Sequence, residues 1–223
     1  MSIPVIAIDG PSASGKGTIA KRAAAALGFN YLESGALYRL VALASLRQRV
    51  QVRDEARVAQ LASGLPVRFA GDKIFYEDQD VTEELRSEGC GNRASEIARL
   101  PRVRDALLAR QHAFRQPPGL VVDGRDMGSV VFPDASLKVF LTASLAVRAE
   151  RRYKQLKEKG IPASIVTLSR DLEERDARDA NRAASPLVAA SDAVQLDSSE
   201  LSIDGVVELV VGWWRDRASR ESG

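Results

Sequence analysis

The chain has 223 residues, long for one minimal domain and short for two full ones, which favours a single core carrying inserted subdomains. Its 45% apolar and 28% charged content is that of an ordinary globular protein, no apolar run approaches the roughly 20 residues of a membrane span, and no basic-then-apolar segment opens the chain, so neither membrane insertion nor secretion is expected. A net charge of +2 is too small to imply nucleic-acid binding, and the single cysteine, Cys90, excludes an intramolecular disulfide and a cysteine-based metal cluster, in keeping with a reducing cytoplasm.

The first predicted element is a buried strand within Ile3–Asp9, followed by a Gly-rich turn that includes Gly10-Pro11-Ser12-Ala13-Ser14-Gly15 and an Ala-rich helix from Ile19 to Leu27. Strand, glycine turn and helix are the context a phosphate-binding loop needs. Gly10, Gly15 and Lys16 fit the spacing G-x-x-x-x-G-K, in which backbone N–H groups and the helix N-terminus surround phosphate oxygens and the lysine reaches the outer phosphates. Gly17 occupies the usual Ser/Thr position, and the hydroxyl arrives one residue later at Thr18. A bound nucleoside triphosphate is the reading this segment supports.

Gly28 is placed to cap the first helix. Phe29 to Leu32 reads as a second strand, and Ser34-Gly35 opens a helix over Ala36 to Leu46 whose first turns carry Tyr38 and Arg39. Ser34 is a natural N-cap; Arg39 beside it raises the case for an anion site. Asp54 to Ser63 reads as a short helix. From Pro66 to Val81 the pattern switches to strand alternation around a Gly71-Asp72 turn, a β-hairpin inserted into an otherwise βα chain. Thr82 to Phe114 is helical again, with Pro101 at a helix start, and Pro117-Pro118 ends it. His112 lies in this stretch with no partner motif and receives no role.

Leu120 to Asp123 is a short apolar run of the kind buried in a parallel sheet, and it delivers Gly124-Arg125-Asp126 to its C-terminal end, where open α/β sheets bind ligands. Strands are also predicted at Leu137–Leu141 and Ala193–Asp197, and a helix from Ile203 to Arg217 packs its apolar side, with one of Trp213 and Trp214, on the core.

Arginine dominates the basic residues, 25 against seven lysines, and it is the bidentate reader of phosphate. Arg148, Arg151 and Arg152 share one helix face at i, i+3 and i+4. Arg175, Arg178, Asp179 and Arg182 share another. Acidic neighbours such as Glu150, Glu173 and Asp176 leave a solvated charged face as the plain alternative. The Gly160-Ile161-Pro162 break between the two helices suggests a lid that closes over phosphates.

Taken together, Gly10 to Thr18, Ser34-Gly35-Ala36-Leu37-Tyr38-Arg39, Pro101-Arg102-Val103-Arg104, Asp123 to Gly128, Phe132-Pro133-Asp134 and Arg175 to Arg182 resemble the bacterial cytidylate kinases over nearly the whole chain, in order and spacing. Ala13 is a departure, since that family often has glycine there. The resemblance implies an α/β fold: a parallel-sheet P-loop kinase core with helices on both faces (about 1–34, 116–147 and 183–223), an inserted NMP-binding subdomain with a small antiparallel hairpin or sheet (about 35–115), and a short lid (about 148–182). It implies transfer of the γ-phosphoryl group of ATP to CMP or dCMP, with Mg²⁺, by a cytoplasmic monomer that binds neither nucleic acid nor membrane.

By the same resemblance, residues 10–18 bind ATP, with Gly10, Pro11, Ser12, Ala13, Ser14, Gly15, Lys16, Gly17 and Thr18 lining the phosphates and Thr18 near the metal or its waters. Ser34, Arg39, Arg125 and Arg182 hold the acceptor phosphate and neighbouring sugar, Arg175 and Asp179 touch the sugar, and Ser95, Arg104 and Asp126 read cytosine. Lys16 with the lid arginines Arg148, Arg151 and Arg152 neutralises the transferring group. Three rivals stand beside this reading. A related kinase with another acceptor would separate on a substrate panel. A regulatory nucleotide switch calls for a guanine-reading Asn-Lys-x-Asp, which the chain lacks. A nucleic-acid binder needs a basic stripe, whereas these arginines are interleaved with acids.

Overall fold

A computed structural model describes residues 3–181 and 185–221 of the chain. In chain order its elements begin with β1 (Val5–Asp9), α1 (Lys16–Leu27), β2 (Asn30–Glu33), α2 (Ser34–Arg47) and α3 (Glu55–Ser63). Then come β3 (Val67–Ala70), β4 (Lys73–Tyr76), β5 (Gln79–Asp80), α4 (Thr82–Leu85), α5 (Glu88–Ile97) and α6 (Pro101–His112). The remainder is β6 (Leu120–Gly124), a π-helical turn (Met127–Val131), β7 (Leu137–Thr142), α7 (Leu145–Glu158), α8 (Ile165–Ala180), β8 (Val194–Asp197) and α9 (Ile203–Glu221). The chain divides into two units, Met1–Leu32 with Ala113–Gly223, and Glu33–His112.

The first unit is organised by a five-stranded sheet in the order β2-β6-β1-β7-β8. β1 pairs in parallel with both β6 and β7, and β7 pairs in parallel with β8. All five residues of β1 and of β6 are buried, as expected for central strands covered on both faces. Ile6, Ile8, Val121, Val139 and Leu141 of the sheet join Ile19, Ala20 and Ala23 of α1 and Val206 and Val210 of α9 in one core cluster. Both Trp213 and Trp214 pack against that cluster, where the sequence pattern assigned one, and the Trp214 ring meets Phe29 edge-on at 5.5 Å. α1 stops at Gly28, whose φ of 67° lets Phe29 N–H reach back to the Ala24 carbonyl.

In the second unit α2 packs on α3 and α5, and α3 on α6. Leu37, Leu40 and Val41 of α2, Val58 of α3, Ile97 of α5 and Val103 and Leu107 of α6 are buried. The predicted hairpin is here a three-stranded antiparallel sheet, β3-β4-β5. Its extra strand follows a two-residue turn in which Glu77 and Asp78 both have positive φ, 48° and 62°, the mirror-image geometry that suits strand twist. The single helical stretch expected from Thr82 to Phe114 is three helices. Ser87 caps α5, its side chain accepting from Cys90 N–H, and Leu100-Pro101 starts α6.

Candidate active site

The C-terminal end of β1 feeds the loop 10–15. Gly10 is obligatory there: with φ of 154°, a Cβ at this position would stand 2.0 Å from the Leu141 carbonyl oxygen of β7. Ala13 adopts φ of 59°, so the loop does require a left-handed residue at the place where glycine is replaced by alanine, at a cost of about 1 kcal/mol. Gly15 (φ 94°) then starts α1. Gly17 faces the Tyr31 hydroxyl and the Asp123 carboxylate, which lie 3.7 and 3.8 Å from where its Cβ would be, so a side chain larger than a methyl would meet them. That accounts for the displaced hydroxyl at Thr18, which is exposed.

Lys16 is buried, and its Nζ donates to the Pro11 carbonyl at 3.0 Å. Burial, and next the Arg125 guanidinium, draw its pKa down to about 7, with Asp123 opposing. The loop is also gripped from outside by guanidinium groups. Arg125 Nη2 donates to Ser12 Oγ at 2.7 Å. Arg148 is itself buried; it donates from Nη1 to the Ser12 carbonyl at 3.2 Å and from Nε to the Ala143 carbonyl at 2.9 Å, and pairs with Asp176 at 2.6 Å. Arg151 Nη1 donates to the Ser14 carbonyl at 2.9 Å, and its Nη2 to the Ser198 carbonyl at 2.6 Å. Arg152, on the same helix, reaches Gln155 at 3.5 Å. The Ser14 hydroxyl is buried with no hydrogen-bond partner among the described residues.

β6 runs beside β1 with Asp123 in register with Ile8 and Gly124 with Asp9. This pairing brings Arg125 and Asp126 next to the loop. Arg125 Nε donates to Asp179 Oδ2 at 2.8 Å, so Asp179, buried on α8, is linked through Arg125 to Ser12. Arg175, one turn earlier on α8, is half-buried and adds positive potential at Lys16. Asp126 is buried, and its carbonyl accepts from Val130 and Val131 N–H at the π-helical turn. Such single π turns concentrate at functional sites. Arg182 lies outside the described residues.

Two acids here escaped the sequence reading. Asp123 is buried, accepts from the Tyr31 hydroxyl at 2.8 Å, and its charge raises the Lys16 pKa. Asp9 is buried at the end of β1; its oxygens accept from Met127 and Gly128 N–H, and its pKa is pushed up to about 6, chiefly by burial. A carboxylate closing an apolar strand beside a glycine loop was the available signal for both.

The second unit holds the remaining residues expected to bind the acceptor. Ser34 is buried as the first residue of α2. Arg39 Nη1 donates to the Leu85 carbonyl at 3.0 Å. Arg104 Nη1 lies 3.4 Å from the Ala98 carbonyl and 3.5 Å from the Tyr38 hydroxyl. Ser95 is buried on α5, and burial pushes the Cys90 thiol pKa up.

The description "Cytidylate kinase" belongs to a family model that matches residues 6–215. A cytidylate kinase of Bordetella bronchiseptica is 59% identical over 212 residues, 95% of each chain. Those of Burkholderia thailandensis and Ralstonia pickettii are 57% and 56% identical, each over 96% of this chain and 93% of their own.

Proposed function

The chain belongs to the cytidylate kinase family, and we propose from that membership and from the groups around the glycine loop how it moves a phosphoryl group from ATP to CMP or dCMP. The observation that carries the reading is that β6, paired with β1, leads directly into Arg125, which donates to Ser12 of the glycine loop and acts electrostatically on Lys16, and into the buried Asp126. Phosphoryl transfer asks the protein to align two polyanions and neutralise the charge spread over the moving group. Residues 10–18 bind the ATP phosphates, and Lys16, released from the Pro11 carbonyl, stabilises the transferring group. Arg148 and Arg151, which hold the loop carbonyls, and Arg152 supply further positive charge. In the first unit Arg125 holds the acceptor phosphate, Asp126 reads cytosine, and Arg175, Asp179 and Arg182 complete the CMP contacts. In the second, Ser34, Arg39, Ser95 and Arg104 are CMP-binding groups.

Mg²⁺ fits this donor set. The groups near the loop that could ligate a cation are oxygens, among them the Asp123 carboxylate and the Thr18 and Ser14 hydroxyls, and no cluster of three His, Cys, Asp or Glu side chains that could hold a metal exists among the described residues. That is the environment of an ion held mainly by substrate phosphates and water. Thr18 and Asp123 would hold it directly or through water, and when bound it would neutralise phosphate charge. An attacking phosphate oxygen is already anionic, so the protein needs no general base. No helix of the described residues is long and apolar enough to cross a membrane; a cytoplasmic location is in keeping with the single cysteine, and the monomer stays an expectation from the family resemblance.

A coupled assay of ADP formation with ATP and each of CMP, dCMP, UMP, AMP and GMP tests the assignment. CMP and dCMP are expected to be the good acceptors; preference for a purine nucleotide would refute it. The segment 148–182 acts as a lid, a reading supported by the arginines on α7 and α8 and the break between the helices. A bisubstrate analogue should then slow amide exchange between Arg148 and Arg170, and equal exchange with and without it would make these helices a static face.

A further inference from the structure

Asp9 ends β1 with a side chain 7% exposed, and both of its oxygens are used by the segment after β6. Oδ1 accepts from the Met127 N–H at 2.9 Å and Oδ2 from the Gly128 N–H at 2.8 Å. Charge-assisted bonds from one carboxylate to successive amides fix a peptide in orientation as well as distance. The grip is matched from the other side. A Cβ on Gly128 would lie 3.1 Å from Cγ of Lys138, so the aliphatic stem of that β7 lysine seals the loop where Asp9 does not. The backbone between these anchors is short. Gly124 is held in register with Asp9 by the sheet, and only Arg125 and Asp126 separate it from Met127. The π-helical turn begins at the same point, with Phe132 N–H donating to the Met127 carbonyl at 2.7 Å.

We propose that Asp9 is a positioning residue for the acceptor nucleotide: by clamping the Met127-Gly128 peptide it sets where Arg125 and Asp126 stand, and it ties that loop to the strand from which the phosphate loop departs. This rests on the reading of Arg125 and Asp126 as CMP-binding groups. Asp9 acts through them and touches neither nucleotide. The charges that face it are those of Lys16 and Asp126, one favouring and one opposing its ionised form.

Steady-state kinetics of the whole enzyme test the clamp. Asp9→Asn keeps the shape and one acceptor but turns an amide donor toward one of the two N–H groups. Leaving a buried donor unsatisfied corresponds to about 10- to 100-fold. KM for CMP should therefore rise by about 10-fold or more and the CMP-over-UMP ratio of kcat/KM should fall by a similar factor, while KM for ATP stays within about threefold. Gly128→Ala displaces the same loop from the Lys138 side with Asp9 intact, and should give the same split. It decides the matter if Asp9→Asn does not fold. A folded variant in which the two KM values move together, or in which neither moves, overturns the proposal. Asp126→Ala in parallel separates the two claims. An unchanged CMP-over-UMP ratio there defeats the base-reading assignment, and the clamp then stands or falls on the KM split alone.

Discussion

The two sheets of this protein solve opposite problems. Strand β1 is buried at all five positions, and the loop it feeds is bound by side chains from the segment just after β6, from α7 and from its own helix. Strand β3 has one half-buried residue followed by three exposed ones, and β5 is exposed throughout. In the first sheet solvent cannot replace a lost contact, so residue identity is dictated atom by atom. In the second, turn geometry and covering side chains suffice: Arg68 lies 4.1 Å over the Phe75 ring and Arg47 5.7 Å over Tyr76. Substitutions at matched positions should therefore cost far more in the first sheet than in the second.

The largest effect is expected at Lys16. On the proposed mechanism Lys16→Met removes the group that stabilises the transferring phosphoryl, worth roughly 3 to 4 kcal/mol, so kcat should fall about 10²- to 10³-fold. Near wild-type turnover would make the lysine a binding charge only. Next come two glycines with positive φ. Gly10→Ala drives a methyl into the Leu141 carbonyl, whereas a Cβ at Gly71, in the β3-β4 turn, meets nothing within 4 Å. Denaturant midpoints should show a loss of about 3 kcal/mol for Gly10→Ala, combining overpacking with backbone strain. Gly71→Ala should lose about 1 kcal/mol from the left-handed backbone alone. Equal losses would erase the contrast between the sheets.

A smaller effect is protonic. Lys16 is held near pKa 7 in the free protein against an ordinary 10.5, so at pH 8 most of the population is neutral. Phosphates beside it restore the charge, and ATP binding at pH 8 should take up close to one proton, read by calorimetry in buffers of differing ionisation enthalpy. Uptake should vanish near pH 5.5, where the lysine is already charged. Zero uptake at pH 8 would show that the lysine keeps its proton in the free loop. The same shift has a sign for stability: between pH 7 and 10.5 the unfolded chain binds more protons at this site, so this group's contribution makes the fold more stable as pH rises through that window. Asp9 works oppositely. Its folded pKa of about 6 lies above the ordinary 3.8, so its contribution falls as pH rises from 3.8 to 6.

The sequence reveals the first sheet better than the second for the same physical reason. Short unbroken apolar runs such as Val5–Ile8 and Leu120–Val122, bounded by glycine, read as buried strands, and the strands β6, β7 and β8 fall where the pattern puts them. The turn before β5 lacks the Asn-Gly or Asp-Gly signal that marks such hairpins, because Glu77 and Asp78 adopt positive φ without it. The π-helical turn has no periodicity over its five residues from which to be read. Within the site, the loop and its lysine follow from spacing. The position of Asp9 and of Asp123 at a strand end is visible locally, but the grip of Asp9 on Met127 and Gly128 joins positions over a hundred residues apart and the Tyr31 hydroxyl on Asp123 spans ninety-two, so local sequence does not reveal what either acid holds.

The central claim is that a carboxylate at the end of β6 reads the base, and the ratio of kcat/KM for CMP over UMP tests it most directly. An ionised carboxylate only accepts hydrogen bonds: it takes the exocyclic amine of cytosine, whereas uracil presents a carbonyl oxygen at that position. An unpaired buried charge costs more than the roughly 1 to 3 kcal/mol of a neutral group, so the wild-type ratio should be at least about 10². Asp126→Ala should shrink it mainly by damaging CMP use, while Arg125→Ala should weaken both nucleotides alike. A wild-type enzyme that uses UMP as well as CMP, or an Asp126→Ala enzyme with an unchanged ratio, would contradict the account.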